Sequence, residues 1–479
     1  MLQHQAPDFP LPSLGLSTCR FPPLPNARDL LEQAWRHGVR LFATAPSTDD
    51  GFSESTLGEW SAQTQQYPIV LASVGLLEGM LYHRALEREH EGRPYLELAR
   101  LRDGLSYCIH PDFLQEQLQE CRQRLRHNLL LGVVLQQPEL FLQWAIAQGL
   151  PRDEAQHELL RRLEYAFAFL EQECQQGYLR SYGIQSECLL PHSASSLLLP
   201  FPELVELARS VGGEEHHFRL LLIPFNLFEP QAAIEPVIGG QTLLEYAVGY
   251  GIQVVAYRPL NAQLNGRPVL IAEPPVAKTT LVSVEHIRGQ LREFVHAETQ
   301  LLRSLTSLPL NGVQRDMVRE SLTLSLFLQD HWHEFASYED WIRMQSGYLT
   351  ERLRSLAQLL KPLLTTTGAE QEWQTYRARL QQALSDIGRL YAARAWERAR
   401  RLRPVLEEAL QCPIPPVPLA QLALALIRHT EGIRSILVAS SSADHIAENI
   451  ASHNLSLPPL RRQQWTRLQA ARLILEHGF

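Results

Sequence analysis

Side chains able to do acid–base chemistry crowd into one stretch of this 479-residue chain, Leu41–Gly58 (LFATAPSTDDGFSESTLG). Asp49, Asp50 and Glu54 follow an apolar strand end and a turn-rich loop, where carboxylates could exchange protons. The same residues beside a helix start equally serve as caps: Ser53 is a candidate N-cap, and Glu54 lies in a first turn whose dipole favours an anion. His83 and His110 belong to polar excursions and read either as site residues or as solvated, capping ones. Cys188 would need a lowered pKa to act as a nucleophile, and no basic neighbour is visible in the sequence. His331 and His333 stand at i, i+2, on opposite sides of a helix, which argues against a metal pair. Only two lysines are present, Lys278 and Lys361. Any lysine chemistry must use one of them, and Lys278 could reach over a site from the segment that follows Tyr257.

The elements that must position these groups alternate. Apolar strand segments are expected at Leu14–Thr18, Val39–Ala43, Pro68–Val74, Leu131–Leu135, Leu179–Ile184, Arg219–Pro224, Ile252–Tyr257 and Ile433–Val438. Helical periodicity fills most of the intervals: Ala27–His37, Ser53–Ala62, His110–His127, Arg152–Gln176, Pro202–Ser210, Gln241–Gly249, Leu419–His429 and Ala443–Ile450. Leu76–Leu105 reads as an irregular, polar excursion. Continuous apolar strands separated by amphipathic helices predict a parallel sheet, and eight of each is the count of a (β/α)8 barrel. In such barrels the chemistry sits where strand C-termini open into loops, as Leu41–Gly58 does.

Between the seventh strand and the last unit, residues 262–412 change character. Pro268, Pro274 and Pro275 open the segment. Helical spacing follows, in the series Leu291–Leu305, Leu349–Leu363 and Tyr376–Leu390, the last extending toward Leu410, with breaks expected at Gly312, Pro362 and Gly368. The expected organisation is therefore a barrel in two parts, 1–261 and 413–479, interrupted by a mainly helical insertion at 262–412. That insertion reads either as a subdomain beside the site face or as a partner-binding helical hairpin.

Composition narrows the function. A net charge of −8 with 20% charged and 45% hydrophobic residues describes an ordinary globular protein and argues against a nucleic-acid or anionic-membrane surface. Apolar runs fall short of a membrane span, and Met1–Phe9 lacks the features of a signal peptide. The six cysteines (Cys19, Cys108, Cys121, Cys174, Cys188, Cys412) show no CxxC spacing. Reduced thiols and a cytoplasmic location are the expectation.

Several segments, in order, resemble the aldo/keto reductases: LGL at the start, LFATAPSTDDGFSE, HPDFLQEQLQECRQRL, LQQPE, LRSYGIQSE, IPFNLFEP, GIQVVAYRPLNA and SILVASSSADHIAEN. The resemblance covers about Leu11–Asn261 and Pro418–Ala451. It implies a (β/α)8 barrel and a bound NADPH or NADH. It also implies a tetrad of Asp, Tyr, Lys and His, in which a cation lowers the pKa of the proton-donating phenol. At the matching positions this chain has Ala43 for the Asp, Thr48 for the Tyr, Ser73 for the Lys and Gln136 for the His. The resemblance further implies cofactor contacts at Ser186, Tyr257, Arg258, Leu260, Asn261, Ser440, Ser441, Glu448 and Asn449. Glu187 and Leu222 stand where the family uses carboxamides, and no basic residue for a 2′-phosphate remains within Ser440–Ser442. A non-reducing family member that binds a ligand or a protein partner follows from these replacements. The alternative is an NAD(P)H-dependent oxidoreductase with a rebuilt site.

Overall fold

The computed structural model describes residues 11–19, 21, 26–127, 129–190, 198–264, 267–274, 282–308, 310–335, 337–364, 367–411, 413–440 and 442–476. Lys278, Ser441 and Cys412 lie outside them. Contacts divide the chain into two compact units, Met1–Ala262 with Pro415–Phe479, and Gln263–Ile414.

The first unit is a closed ring of eight parallel strands: β1 (Leu14–Ser17), β2 (Leu41–Thr44), β3 (Ile69–Val74), β4 (Gly132–Gln136), β5 (Tyr182–Gln185), β6 (Phe218–Pro224), β7 (Gln253–Tyr257) and β8 (Ile433–Ala439). Each strand pairs with its sequence neighbour, and β8 closes the ring by pairing with both β7 and β1. The helices that flank these strands include α1 (Asn26–Arg36), α2 (Phe52–Thr64), α3 (Pro111–Leu125), α4 (Arg152–Gln175), α5 (Phe201–Gly212) and α6 (Leu243–Gly249). After the second unit come α9 (Leu419–Arg428), α10 (Ala443–Ala451) and α11 (Arg462–Glu476).

Alternation along the strands fills the barrel interior. Leu41, Ala43, Leu71, Val134, Leu220, Leu222, Val255 and Leu437 form one buried cluster, with Leu11 beneath it and Tyr257 packed against it. The leucines fit because glycines face them: a Cβ on Gly132 would come within 2.4 Å of Leu71 Cδ2 and 2.8 Å of Leu220 Cδ1. Large and small residues thus share the interior layers, as close packing of a barrel requires.

The segment after β3 is ordered, contrary to the irregular excursion expected for Leu76–Leu105. It contains a helix, Gly79–His90, and a three-stranded antiparallel sheet of Leu76–Leu77, Ala99–Arg102 and Leu105–Tyr107. A helix at Glu139–Ala147 precedes α4, and α11 follows the last expected element; the sequence reading contained neither.

A two-stranded sheet (Asn261–Leu264 with Arg267–Leu270) spans the boundary at Ala262, and the described residues of the second unit beyond it are mainly helical. Its longest elements are α7 (Val284–Thr306) and α8 (Thr367–Leu410), with five shorter segments between them, one a π-helical turn at Gln345–Leu349. Ile287, Leu291, Phe294, Leu301 and Leu305 of α7 share a core with Tyr376, Leu380, Ile387 and Tyr391 of α8, and with the fully buried Trp341. Helices change at all three expected breaks: α7 ends at Thr306 and a new helix opens at Gly312 behind an Asn311 capping box, Pro362 lies in the turn after the helix that ends at Leu360, and Gly368 is the second residue of α8.

Candidate functional site at the mouth of the barrel

On the β2 side of the strand C-termini, every acid of Leu41–Gly58 is used in the fold. Glu54 is fully buried; its carboxylate accepts from Thr44 Oγ1 at 2.9 Å and from Arg124 Nε at 2.8 Å. Asp49 accepts the backbone N–H groups of Gly51 (3.1 Å) and Ser53 (3.0 Å), so Asp49 caps α2. Ser53 is therefore inside the helix and not its N-cap, and its hydroxyl accepts from Thr18 Oγ1 at 2.9 Å. Asp50 accepts from Met80 N at 2.7 Å and caps the helix at Gly79–His90. His110 likewise caps α3, Nδ1 accepting from Asp112 N at 3.3 Å. The ring of His83 lies edge-on to Tyr82.

The four positions matched to the tetrad occupy the same face. Ala43 belongs to the apolar cluster inside the barrel. Thr48 donates its hydroxyl proton to Ala45 O at 2.8 Å. Ser73 is buried at the end of β3 and reaches Gln185 Oε1 at a long 3.4 Å. Gln136 ends β4 directly beside Gln185, and its Oε1 is buried without a partner. None of the four bears a charge.

Polar groups gather instead around the ends of β4, β5, β6 and β7. Tyr257 donates to Glu187 Oε1 at 3.1 Å. The Arg258 guanidinium lies 3.1 Å from Glu229 and 3.5 Å from Glu187. Arg258 itself is in the left-handed region, at φ +53°. Asn226 braces this turn, donating to Glu229 Oε2 at 2.6 Å and to Arg258 O at 3.3 Å. Burial and the Glu187 charge push the Tyr257 phenol well above its ordinary pKa.

Glu139, three residues past β4, is buried, and its Oε1 accepts from Glu187 N at 2.9 Å. Burial pushes this carboxyl up to about 7, against the opposing hydrogen bonds from backbone N–H groups and the Ser186 hydroxyl. Its second oxygen, Oε2, is buried without a partner. The Tyr107 hydroxyl, also buried and unpartnered, feels the Glu139 charge; burial drives it well above its ordinary range too. The sequence reading gave no role to Glu139, Tyr107 or Glu229, although the segments LQQPE and IPFNLFEP contain the two glutamates. A signal for Glu139 did exist: a Pro-Glu step immediately before the apolar run Leu140–Leu142.

The remaining cofactor positions are mixed. Ser186 is buried, its oxygen accepting from Cys188 N at 3.0 Å. Ser440 turns its hydroxyl into Ser442 O at 2.9 Å. Asn449 is buried on α10, Glu448 half-buried beside it, and Leu260 and Asn261 half-buried after β7. Asp444 occupies the first turn of α10, where a phosphate would meet its negative charge. With Arg258 held by two carboxylates, these described positions offer an aromatic face and helix amides, but no cation unengaged for a 2′-phosphate. They do not fit NADP as a set. Among the described residues no group of three His, Cys, Asp or Glu is placed to share a metal, His331 and His333 included. No described helix is long and apolar enough to cross a membrane.

Strand order, parallel register and polar strand C-termini define a (β/α)8-barrel protein. Solved structures with similarity to the chain include aldo-keto reductases. One, from Bacillus halodurans in its holo form, is 12% identical over 96% of this chain and 91% of its own, with a TM-score of 0.45. Another, from Klebsiella pneumoniae and in complex with NADP and acetate, is 13% identical over 96% and 92%, with a TM-score of 0.42. No family model matches the sequence, and no curated protein matches it significantly.

Proposed function

We propose that this barrel binds a small ligand or a protein partner at its mouth without reducing a carbonyl. The observation that carries the reading is the state of the phenols. The resemblance requires a phenol brought down in pKa by a neighbouring cation. Here Thr48 stands in its place, and the two phenols at the mouth, Tyr107 and Tyr257, are both pushed the other way by burial and nearby carboxylates. The barrel portions of the sequence contain no lysine at all, and Arg258 is neutralised in place. A hydroxyl without a nearby cation or imidazole is not a proton donor of useful strength at neutral pH.

The test is titration of the full chain with NADPH and NADH by calorimetry, followed by turnover assays over aldehydes and ketones. The expected result is no carbonyl-dependent oxidation of either nucleotide. Robust NADPH-dependent reduction that disappears in Tyr257→Ala would overturn the reading in favour of an oxidoreductase with a rebuilt site. Low-micromolar nucleotide binding without turnover would identify the retained ligand.

A further inference from the structure

Buried polar atoms without partners are uncommon in folded proteins, and each calls for an explanation. Three such atoms are Tyr107 Oη, on the last residue of the Leu105–Tyr107 strand, Gln136 Oε1, on the last residue of β4, and Glu139 Oε2, on the first residue of the helix that follows β4. Tyr107 sits over the end of β3, where a Cβ on Gly75 would meet its ring at 3.3 Å. Gln136 is the last residue of β4, and β4 pairs with β3 through Ser73–Val134 and Val74–Leu135. Glu139 Oε1 accepts from the Glu187 N–H at 2.9 Å, while Oε2 is buried with no partner.

The chemistry of the three atoms is one-sided. A carboxylate oxygen and a carboxamide oxygen only accept, and the phenol can do so as well. The charged groups acting on them are Glu187 and Glu139 on one side and Arg162 on the other. Arg162 is already held by Glu158 at 2.8 Å and by Glu97 O at 2.7 Å. Beyond Glu187, Glu229 and Arg258 neutralise each other. The local excess is negative and acceptor-rich. Water could bridge such atoms, but a group with several N–H donors and a positive charge answers both the acceptors and the charge.

We infer that Tyr107, Gln136 and Glu139 form a subsite for a protonated primary amine of a small ligand bound at the barrel mouth. This rests on the ligand-binding reading above and specifies the ligand's chemistry. Ionised Glu139 is the counter-charge, Gln136 Oε1 the neutral acceptor, and Tyr107 the third partner. Binding an ammonium group beside Glu139 favours its ionised form, so ligand uptake near neutral pH releases a proton from the carboxyl.

The probe is n-butylammonium chloride, titrated by calorimetry into the full-length protein at pH 8, with n-butanol as the neutral control. Saturable millimolar binding of the amine and none of the alcohol is expected. Affinity should weaken as pH falls below about 7, where Glu139 takes up its proton. Glu139→Gln should weaken binding about tenfold or more and abolish that pH dependence, and the near-isosteric Tyr107→Phe should weaken it several-fold. Both variants are checked for wild-type circular dichroism, and Tyr107→Phe keeps the test intact should Glu139→Gln misfold. The inference is overturned by equal binding of the alcohol, by absence of saturable binding up to about 10 mM amine, or by unchanged affinity in the folded variants. Those failures leave the non-reducing reading standing, because that reading falls only to carbonyl turnover.

Discussion

Two corners of the same barrel mouth use the same residue types in opposite ways. At the end of β2, Glu54, Asp49 and Asp50 are each committed: one to a buried ion pair with Arg124, two to helix N-termini. Around β4 and β5, Glu139 is buried with a free oxygen, next to an unpartnered phenol and carboxamide. A buried carboxylate whose lone pairs are satisfied stays ionised and holds elements together. One that is desolvated and half-satisfied holds its proton to higher pH and remains available to something else. The corner that looks richest in acids by sequence is thus the structural one.

Substitutions can break this contrast. The largest effect is expected at Glu54, because its fully buried carboxylate is the partner of Arg124 Nε and of the Thr44 hydroxyl, and losing its charge leaves the largely buried Arg124 with Glu120, 3.1 Å away, as its remaining counter-charge. Glu54→Gln should cost about 3–5 kcal/mol in urea denaturation. Glu139→Gln should act in the other direction and only at the alkaline end. Its folded-state pKa, about 7, lies above the ordinary 4.5. The folded protein therefore binds more protons than the unfolded chain between these values. The associated stability is complete below about pH 4.5 and is lost as pH rises through about 7. Replacing the carboxyl with an amide should remove that loss, so the variant gains about 2–3 kcal/mol over the wild type at pH 8 and nothing at pH 4. Denaturant midpoints at the two pH values check it. Ser73→Ala should do least: the 3.4 Å contact to Gln185 is at the limit of a hydrogen bond, and a change within about 0.5 kcal/mol is expected in the same assay.

Much of the barrel was legible because parallel strands covered on both faces must be apolar throughout, and β3 (IVLASV) or β6 (FRLLLIP) stand out from their surroundings. The candidate site was less so. Tyr107 lies on a three-residue strand in a polar segment, too short for any periodicity to declare it. Glu139 becomes unusual only through tertiary burial, which no local pattern reports. The true cap of α2 was missed for a geometrical reason. Asp49 reaches over a left-handed Asp50–Gly51 turn to serve the helix from three residues before its start, whereas the adjacent Ser53 has the residue type usually found at a cap. The long series in the second unit was readable, since Tyr376, Leu380, Ile387 and Leu390 keep one face of α8 buried.

The order of strands along the chain bears on how the protein is made. Strands β1 to β7 emerge first, yet the ring has no closure until Ile433–Ala439 arrives to pair with both open edges. Roughly 175 residues separate Tyr257 from Ile433, which on a translating ribosome is on the order of 10–35 s. For that interval β1 and β7 expose unpaired backbone, the kind of edge that recruits foreign strands. During the same interval the second unit, whose residues are contiguous in sequence, can complete its own core. Nascent chains arrested just before Ile433 should accordingly show a protease-resistant helical fragment attached to a protease-sensitive, unclosed sheet of seven strands, and chains extended past Ala439 should lose that sensitivity.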